Sequence, residues 1–242
     1  LQLFANTLVN PFFAALAGAV DLITHADQKL VDIISLSLKV SATAVVIASV
    51  LGLAIGAIVS VTRVTGRGMV IAALNATMGL PPVVIGLVVY LLLSRAGPLG
   101  HYGLLFTPPA MVIAQVILIT PIIAALSRQI LEDAWREYQD QFASLGIKNA
   151  SAAATLIWDC RFSLVTIALA GLGRACAEVG AVMIVGGNID GVTRTMTTAI
   201  ALETTKGDLP LALSLGIVLV AIVLAINIVA QWLKSFAERR YG

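Results

Sequence analysis

Five stretches of this chain stay apolar long enough to cross a bilayer: residues 33–61, 69–93, 104–126, 162–185 and 209–233. A lipid-crossing helix needs roughly 20 mostly apolar residues, and every backbone group in it must be satisfied within the segment. An earlier apolar run, 11–20, is too short to span and reads as an interfacial helix within an N-terminal outer segment, 1–32. A sixth span hidden in residues 1–30 would leave the rest undisturbed. The pattern predicts an all-α, polytopic membrane protein with five, or six, transmembrane helices. It forms one domain over 1–242, with a helical core at 33–233 and a tail at 234–242.

Between the third and fourth spans lie residues 127–161, far more than a turn requires. Leu131, Trp135, Tyr138, Phe142 and Leu145 recur at intervals of three and four, so they share one helix face. Glu132, Asp133, Arg136, Glu137 and Asp140 fall on the other side. Gly146 interrupts this helix, and Asn149 or Ser151 can cap a second one running through Trp158. Such a helix–Gly–helix either docks a partner or lies on the membrane surface.

Prolines mark the spans. Pro81 and Pro82 fall midway through the second and Pro121 inside the third, where each removes a donor and predicts a kink or an unwound turn. A pore-lining bend near a gate is one use for such a break. Pro108 and Pro109, behind Thr107, suit a first helical turn. Gly52 and Gly56 form a G-x-x-x-G on the first span, a motif for close helix packing that could serve a dimer seam.

Composition fixes the solvent. Of 242 residues, 59% are hydrophobic and only 12% charged, and mean hydropathy is +0.99. Soluble domains carry about 25% charged residues, so lipid rather than water surrounds most of this chain. The net charge of +2, without a basic run, gives no footprint for nucleic acid. Two cysteines, Cys160 and Cys176, offer no disulfide framework or metal pattern. His25 and His101 stand alone and read as surface residues. Counting cations gives Arg63, Arg67, Arg128, Arg136, Lys148, Arg161, Lys234, Arg239 and Arg240 on one side, against Lys29, Arg95, Arg194 and Lys206 on the other. By the positive-inside rule the N-terminus is outside, and residues 127–161 and the C-terminus are cytoplasmic.

Arg174 and Glu178 lie four apart inside the fourth span, on one face, and are expected to pair because an isolated intramembrane charge is costly. Arg174 has a second possible use, near an anion path. Residues 186–200 are Gly- and Thr-rich. They read either as a folded outer plug, with Arg194 paired to Asp190 or Glu203, or as an outer gate offering Thr193, Thr195 and Arg194 to a hydrated anion. No phosphate-cradling loop and no nucleophile–base set is present, so no catalytic residue is expected.

The order of residues narrows this. The run from Asp140 through Phe142, Ala143 and Leu145 to Gly146 resembles the EAA loop of importer permeases of the ATP-binding-cassette (ABC) class, with Leu156 in the hydrophobic stretch that follows. Asp140 replaces the family's Glu, and Asp159 stands where the family has Pro. The Leu80-Pro81-Pro82 run resembles the second-span signature of molybdate, tungstate and sulfate permeases. So does the block with Arg174, Glu178, Gly187, Asn188, Thr193, Arg194 and Thr195. Met78-Gly79-Leu80-Pro81-Pro82 and Ala201-Leu202-Glu203-Thr204 are most like the tungstate-type branch. The resemblance implies a type I importer fold, a homodimer, two cytoplasmic ABC ATPase subunits and an external oxyanion-binding protein. It places Asp140, Phe142, Ala143, Leu145, Gly146 and Leu156 at the ATPase contact, and Pro81, Pro82, Asn188, Thr193, Arg194 and Thr195 along the pathway. No cofactor or metal is implied for this chain, ATP and Mg being bound by the ATPase. An ion-driven transporter or channel is the rival, with Glu178 as its candidate carboxylate.

Overall fold

The computed structural model describes residue 13 and residues 15–24, 28–62 and 66–241. The expectations for His25, for Arg63 and for the start of the 11–20 helix lie outside them. The described residues form helices α1 (Ala15–Thr24), α2 (Gln28–Val61), α3 (Arg67–Met78), α4 (Pro82–Leu93), α5 (Pro108–Ser144), α6 (Asn149–Asp159), α7 (Arg161–Cys176), α8 (Gly180–Gly186), α9 (Met196–Lys206) and α10 (Leu209–Tyr241), with no strand among them. Helices α2, α5 and α10 are each long and apolar enough to cross a membrane, and the bent pairs α3–α4 and α6–α7 raise the total to five.

The second span breaks where the prolines stand. Pro81 caps α4 in extended geometry, Pro82 opens it, and α3 meets α4 at 99°. At Pro121 no turn is unwound: α5 stays helical through it over its 37 residues. The expected third span and the amphipathic helix after it are therefore one helix, because nothing between Ser127 and Ile130 stops it. Pro108 and Pro109 do open α5 behind Thr107. The fourth span is interrupted instead, at residues 177–179 between α7 and α8, with no proline involved.

Packing explains the glycines of α2. A Cβ on Gly52 would lie 2.9 Å from Ile123, and one on Gly56 would lie 3.0 Å from the backbone of Ala124 and Arg128. Ser127 of α5 donates to the Gly52 carbonyl at 3.5 Å. The G-x-x-x-G thus joins α2 to α5 within one chain, which leaves it unavailable as a dimer seam. This α2–α5 pair is the axis of the larger core, built on Ala44, Ala48, Met111, Ile119, Ile123 and Leu131. A second core gathers Ala19, Leu30, Met196, Ala199, Leu215 and Val218. It holds α1 against α10, where Ser214 donates to the Ala15 carbonyl at 2.9 Å. Helix α1 is therefore docked on the bundle.

Candidate coupling elbow and gate

The elbow is the end of α5, a tight turn, and α6. Leu131 is fully buried at its root. Trp135 and Tyr138 stack around Phe142 at 6.0 and 6.2 Å. The helix ends in a reciprocal pair of bonds: Gly146 N–H donates to the Ala143 carbonyl at 3.1 Å and Ile147 N–H to the Phe142 carbonyl at 2.9 Å. Gly146 has φ +65°, the left-handed conformation that this C-terminal motif needs and that glycine adopts without steric cost. Asp140, Ala143, Leu145 and Gly146 are exposed at the tip, and Leu145 presents 72% of its surface.

Leu156 differs from its expected place at the contact surface. It is 1% exposed, packed into the main core from α6, so it anchors the elbow and does not form its face. Asn149 also acts differently. Lys148 is the N-cap of α6, with no side-chain cap, and the Asn149 amide instead donates to the Val61 carbonyl at 3.4 Å, tying the elbow to the end of α2. Helices α6 and α7 then meet at 74° around Cys160, a turn made without the proline of the family pattern.

Glu132, on the polar side of the elbow helix, is only 12% exposed. Its Oε2 receives Arg67 at 2.9 Å and also Arg128, and its Oε1 receives Arg136 at 2.9 Å. Arg67 donates in addition to the Val59 carbonyl at 2.9 Å. The start of α3 is thereby fastened to both α2 and α5. Burial pushes the Glu132 carboxyl up, but Arg67, Arg136 and Arg128 outweigh it and hold the group below its ordinary value. The i,i+4 spacing of Arg128, Glu132 and Arg136 was visible in the sequence; the distant Arg67 was not.

At the other interruption, Arg174 and Glu178 do pair, at 2.8 Å. Glu178 is 5% exposed and Arg174 40%, so the carboxylate carries more of the structural weight. Its Oε1 accepts the Ala181 N–H at 3.1 Å, satisfying an orphan donor of α8's first turn. Gln115 of α5 donates to the Ala175 carbonyl at 3.1 Å, and Thr197 of α9 to the Glu178 carbonyl at 2.8 Å. Freed backbone groups at membrane depth are tolerated where protein satisfies them, and these bonds do so. Gln115 was missed from sequence, a lone Gln in an apolar span being the available signal, whereas Thr197 is one of the hydroxyls of the Thr-rich segment and serves the backbone at the break. Glu178→Ala should lower the apparent melting temperature of the purified protein more than Glu178→Gln, which retains an acceptor for Ala181. An unsatisfied buried donor costs about 1–3 kcal/mol. Equal melting of the two variants would remove the capping role.

Residues 186–200 form a knot. Thr193 is fully buried; its hydroxyl donates to the Gly186 carbonyl at 2.6 Å and accepts the Ile189 N–H at 2.9 Å. Thr195 caps α9 through a reciprocal box with Thr198. Both threonines hold the knot together: the Thr193 hydroxyl spends its proton on the Gly186 carbonyl and the Thr195 hydroxyl oxygen accepts the Thr198 N–H. Arg194 pairs with Asp190 at 2.9 Å and lies 3.4 Å from the Asn188 Oδ1, while Asn188 donates to the Thr198 carbonyl at 3.3 Å. The knot and the break at Pro81 meet through α8. A Cβ on Gly86 of α4 would sit 2.8 Å from the Ala181 Cα, and one on Gly180 would sit 2.9 Å from Val83.

Two interrupted helices packed on each other, an unbroken α2–α5 axis and a projecting elbow are the parts of a multi-pass helical permease. No protein-family model matches the chain. A probable anion ABC transporter permease protein of Haloferax volcanii is 39% identical over 218 residues, 88% of this chain and 94% of its own length. The tungstate uptake system permease protein TupB of Peptoclostridium acidaminophilum is 38% identical over 218 residues, 90% and 96% of the two chains. That of Campylobacter jejuni is 33% identical over 234 residues, 97% and 98%. The chain belongs to the TupB-like family of ABC transporter permeases.

Proposed function

We propose that this chain is the translocation subunit of an ABC importer for tungstate. Two copies form the pathway, two cytoplasmic ATPase subunits power it, and an external binding protein delivers the oxyanion. The reading rests on the relatives named for tungstate uptake and on the elbow. A tip of exposed Asp140, Ala143, Leu145 and Gly146, set on a buried Leu131–Leu156 root, suits insertion into a partner's cleft. The chain itself is non-catalytic in this reading, and ATP and Mg stay with the ATPase. The excess of cations at the elbow end supports a cytoplasmic elbow and C-terminus and an outer N-terminus in a prokaryotic cell membrane.

ATPase closure would press the elbows together. The α2–α5 axis and the Arg67–Glu132 link would carry that movement to α3, and the breaks at Pro81, Pro82 and residues 177–179 would let α4 and α8 rotate as a packed pair, a rigid-body switch between two arrangements. The knot with Asn188 and Arg194 then acts as the outer gate, moved as a unit, and Arg174 serves as the structural partner of Glu178. That commitment of Glu178, to Arg174 and to the Ala181 N–H, disfavours an ion-driven mechanism with Glu178 as the ion's ligand. Affinity purification of the tagged chain from its native host tests the reading: a P-loop ATPase should co-purify in equal amount. Recovery of the permease alone, under conditions that keep other ABC complexes together, would contradict it. Vesicle uptake competed by molybdate and sulfate distinguishes tungstate from its chemical relatives.

A further inference from the structure

Beside the elbow, α2, α3 and α5 border an open cleft of about 360 Å3 lined by Thr62, Arg67, Glu132, Trp135, Arg136 and Gln139. Two guanidiniums, Arg67 and Arg136, line it with the Glu132 carboxylate they share, which leaves one positive charge uncompensated in the lining, and Arg128 adds another from behind Glu132. The cavity at the Gln28 end of α2, about 250 Å3, is lined by Lys29, Asp32, Asp190 and Arg194, two cations and two anions in balance. A guanidinium has five N–H donors. Arg67 spends its Nε on the Val59 carbonyl and one Nη on Glu132, and Arg136 gives Glu132 one Nη. The donors left over are arranged in planar forks that match the oxygens of a tetrahedral anion.

We propose that this cleft is a binding site for a tetrahedral oxydianion, drawn free from the compartment the elbow faces, with Arg67 and Arg136 as its clamp. The lining carries an excess of positive charge, Arg128 adds to it from behind Glu132, and the volume admits such an ion with part of its hydration. The ligand competes with Glu132 for the same guanidiniums, so its arrival loosens the bridge that fastens α3 to α5. The site thus sits where an ion on the elbow side can act on the elements that join elbow to pathway. The inference goes beyond the import reading, and its binding test needs no ATPase, so the two can fail separately.

Trp135 lines the cleft and reports on it. The full chain, carrying Trp158→Phe and Trp232→Phe, is placed in phosphatidylcholine nanodiscs and titrated with sodium tungstate, sulfate and phosphate at fixed ionic strength, with chloride as the control. A saturable change in Trp135 emission is expected with the dianions and not with chloride. Arg136→Gln, at a largely exposed position, should weaken it at least tenfold, and Arg136→Lys, which keeps the charge and loses the fork, should fall between. Glu132→Gln should tighten it severalfold; a purely structural network gives no such opposite pair. Each variant is checked by thermal unfolding, and Arg136→Gln decides the matter if Glu132→Gln does not fold. A response identical to that of chloride, or an unchanged affinity in Arg136→Gln, overturns the proposal. So does a site filled only by a lipid phosphate, seen as a Trp135 shift on moving to phosphatidylglycerol discs with no response to any free dianion in phosphatidylcholine.

Discussion

Gly146→Trp should leave the permease in the membrane and cut uptake at least tenfold while the ATPase goes on hydrolysing ATP. The substitution acts at the tip of the elbow and nowhere else. A Cβ at Gly146 meets nothing within 4 Å, so an indole there has room to project into whatever receives the tip. Its internal cost is the left-handed backbone at φ +65°, about 1–2 kcal/mol for a residue with a side chain. That is small beside the packing of Leu131, Phe142 and Leu156 that holds the elbow in place. Gly146→Ala bears the same strain without the bulk and should keep most of the uptake. Assaying ATP hydrolysis and tungstate accumulation on the same proteoliposomes separates the two effects. Unchanged uptake in the tryptophan variant would defeat the docking assignment.

Gly56→Leu should do the opposite, removing the folded protein before function can be measured. The Cβ would lie 2.3 Å from the Ser127 Oγ, which can rotate away, and 3.0 Å from the Ala124 carbonyl oxygen and the Arg128 nitrogen, which cannot. The α2–α5 axis would have to part. Overpacking typically costs about 1–3 kcal/mol, and here it strikes the contact on which the larger core is built. It also strains the Ser127 bond to the Gly52 carbonyl and displaces Arg128, a partner of Glu132. Gly173→Ala is the control, since a Cβ there meets nothing within 4 Å. On size-exclusion chromatography of detergent extracts, the Gly173→Ala peak should match the wild type and the Gly56→Leu peak should vanish. A normal, monodisperse Gly56→Leu peak would mean that α2 and α5 do not pack as described.

What the sequence made legible was local. Apolar runs placed the spans, Pro81 and Pro82 marked the break between α3 and α4, and the three-four spacing from Leu131 to Leu145 with Gly146 after it outlined the elbow. Features built by distant partners stayed hidden. The break at residues 177–179 carries no proline; Gln115, Thr197 and the Glu178 carboxylate satisfy the backbone there, and those partners come from three parts of the chain. Pro121 allowed an unwound turn, yet α5 stays helical through it, with α2 packed against Ile123 and Ser127 just beyond. Glu132 falls on the polar side of its own helix, and its pairing with Arg67, from another helix, is invisible to that pattern. Thr193 and Thr195 looked like free hydroxyls, and only the folded knot reveals their partners. In each case periodicity reported one helix at a time, while the outcome depended on a second.

Transport by purified chain in sealed proteoliposomes, with and without its ATPase, tests the central claim most directly. With ATPase, ATP and the loaded binding protein, tungstate should accumulate against its gradient; with the permease alone it should not, whatever proton or sodium gradient is imposed. Uphill accumulation by the permease alone would contradict the account.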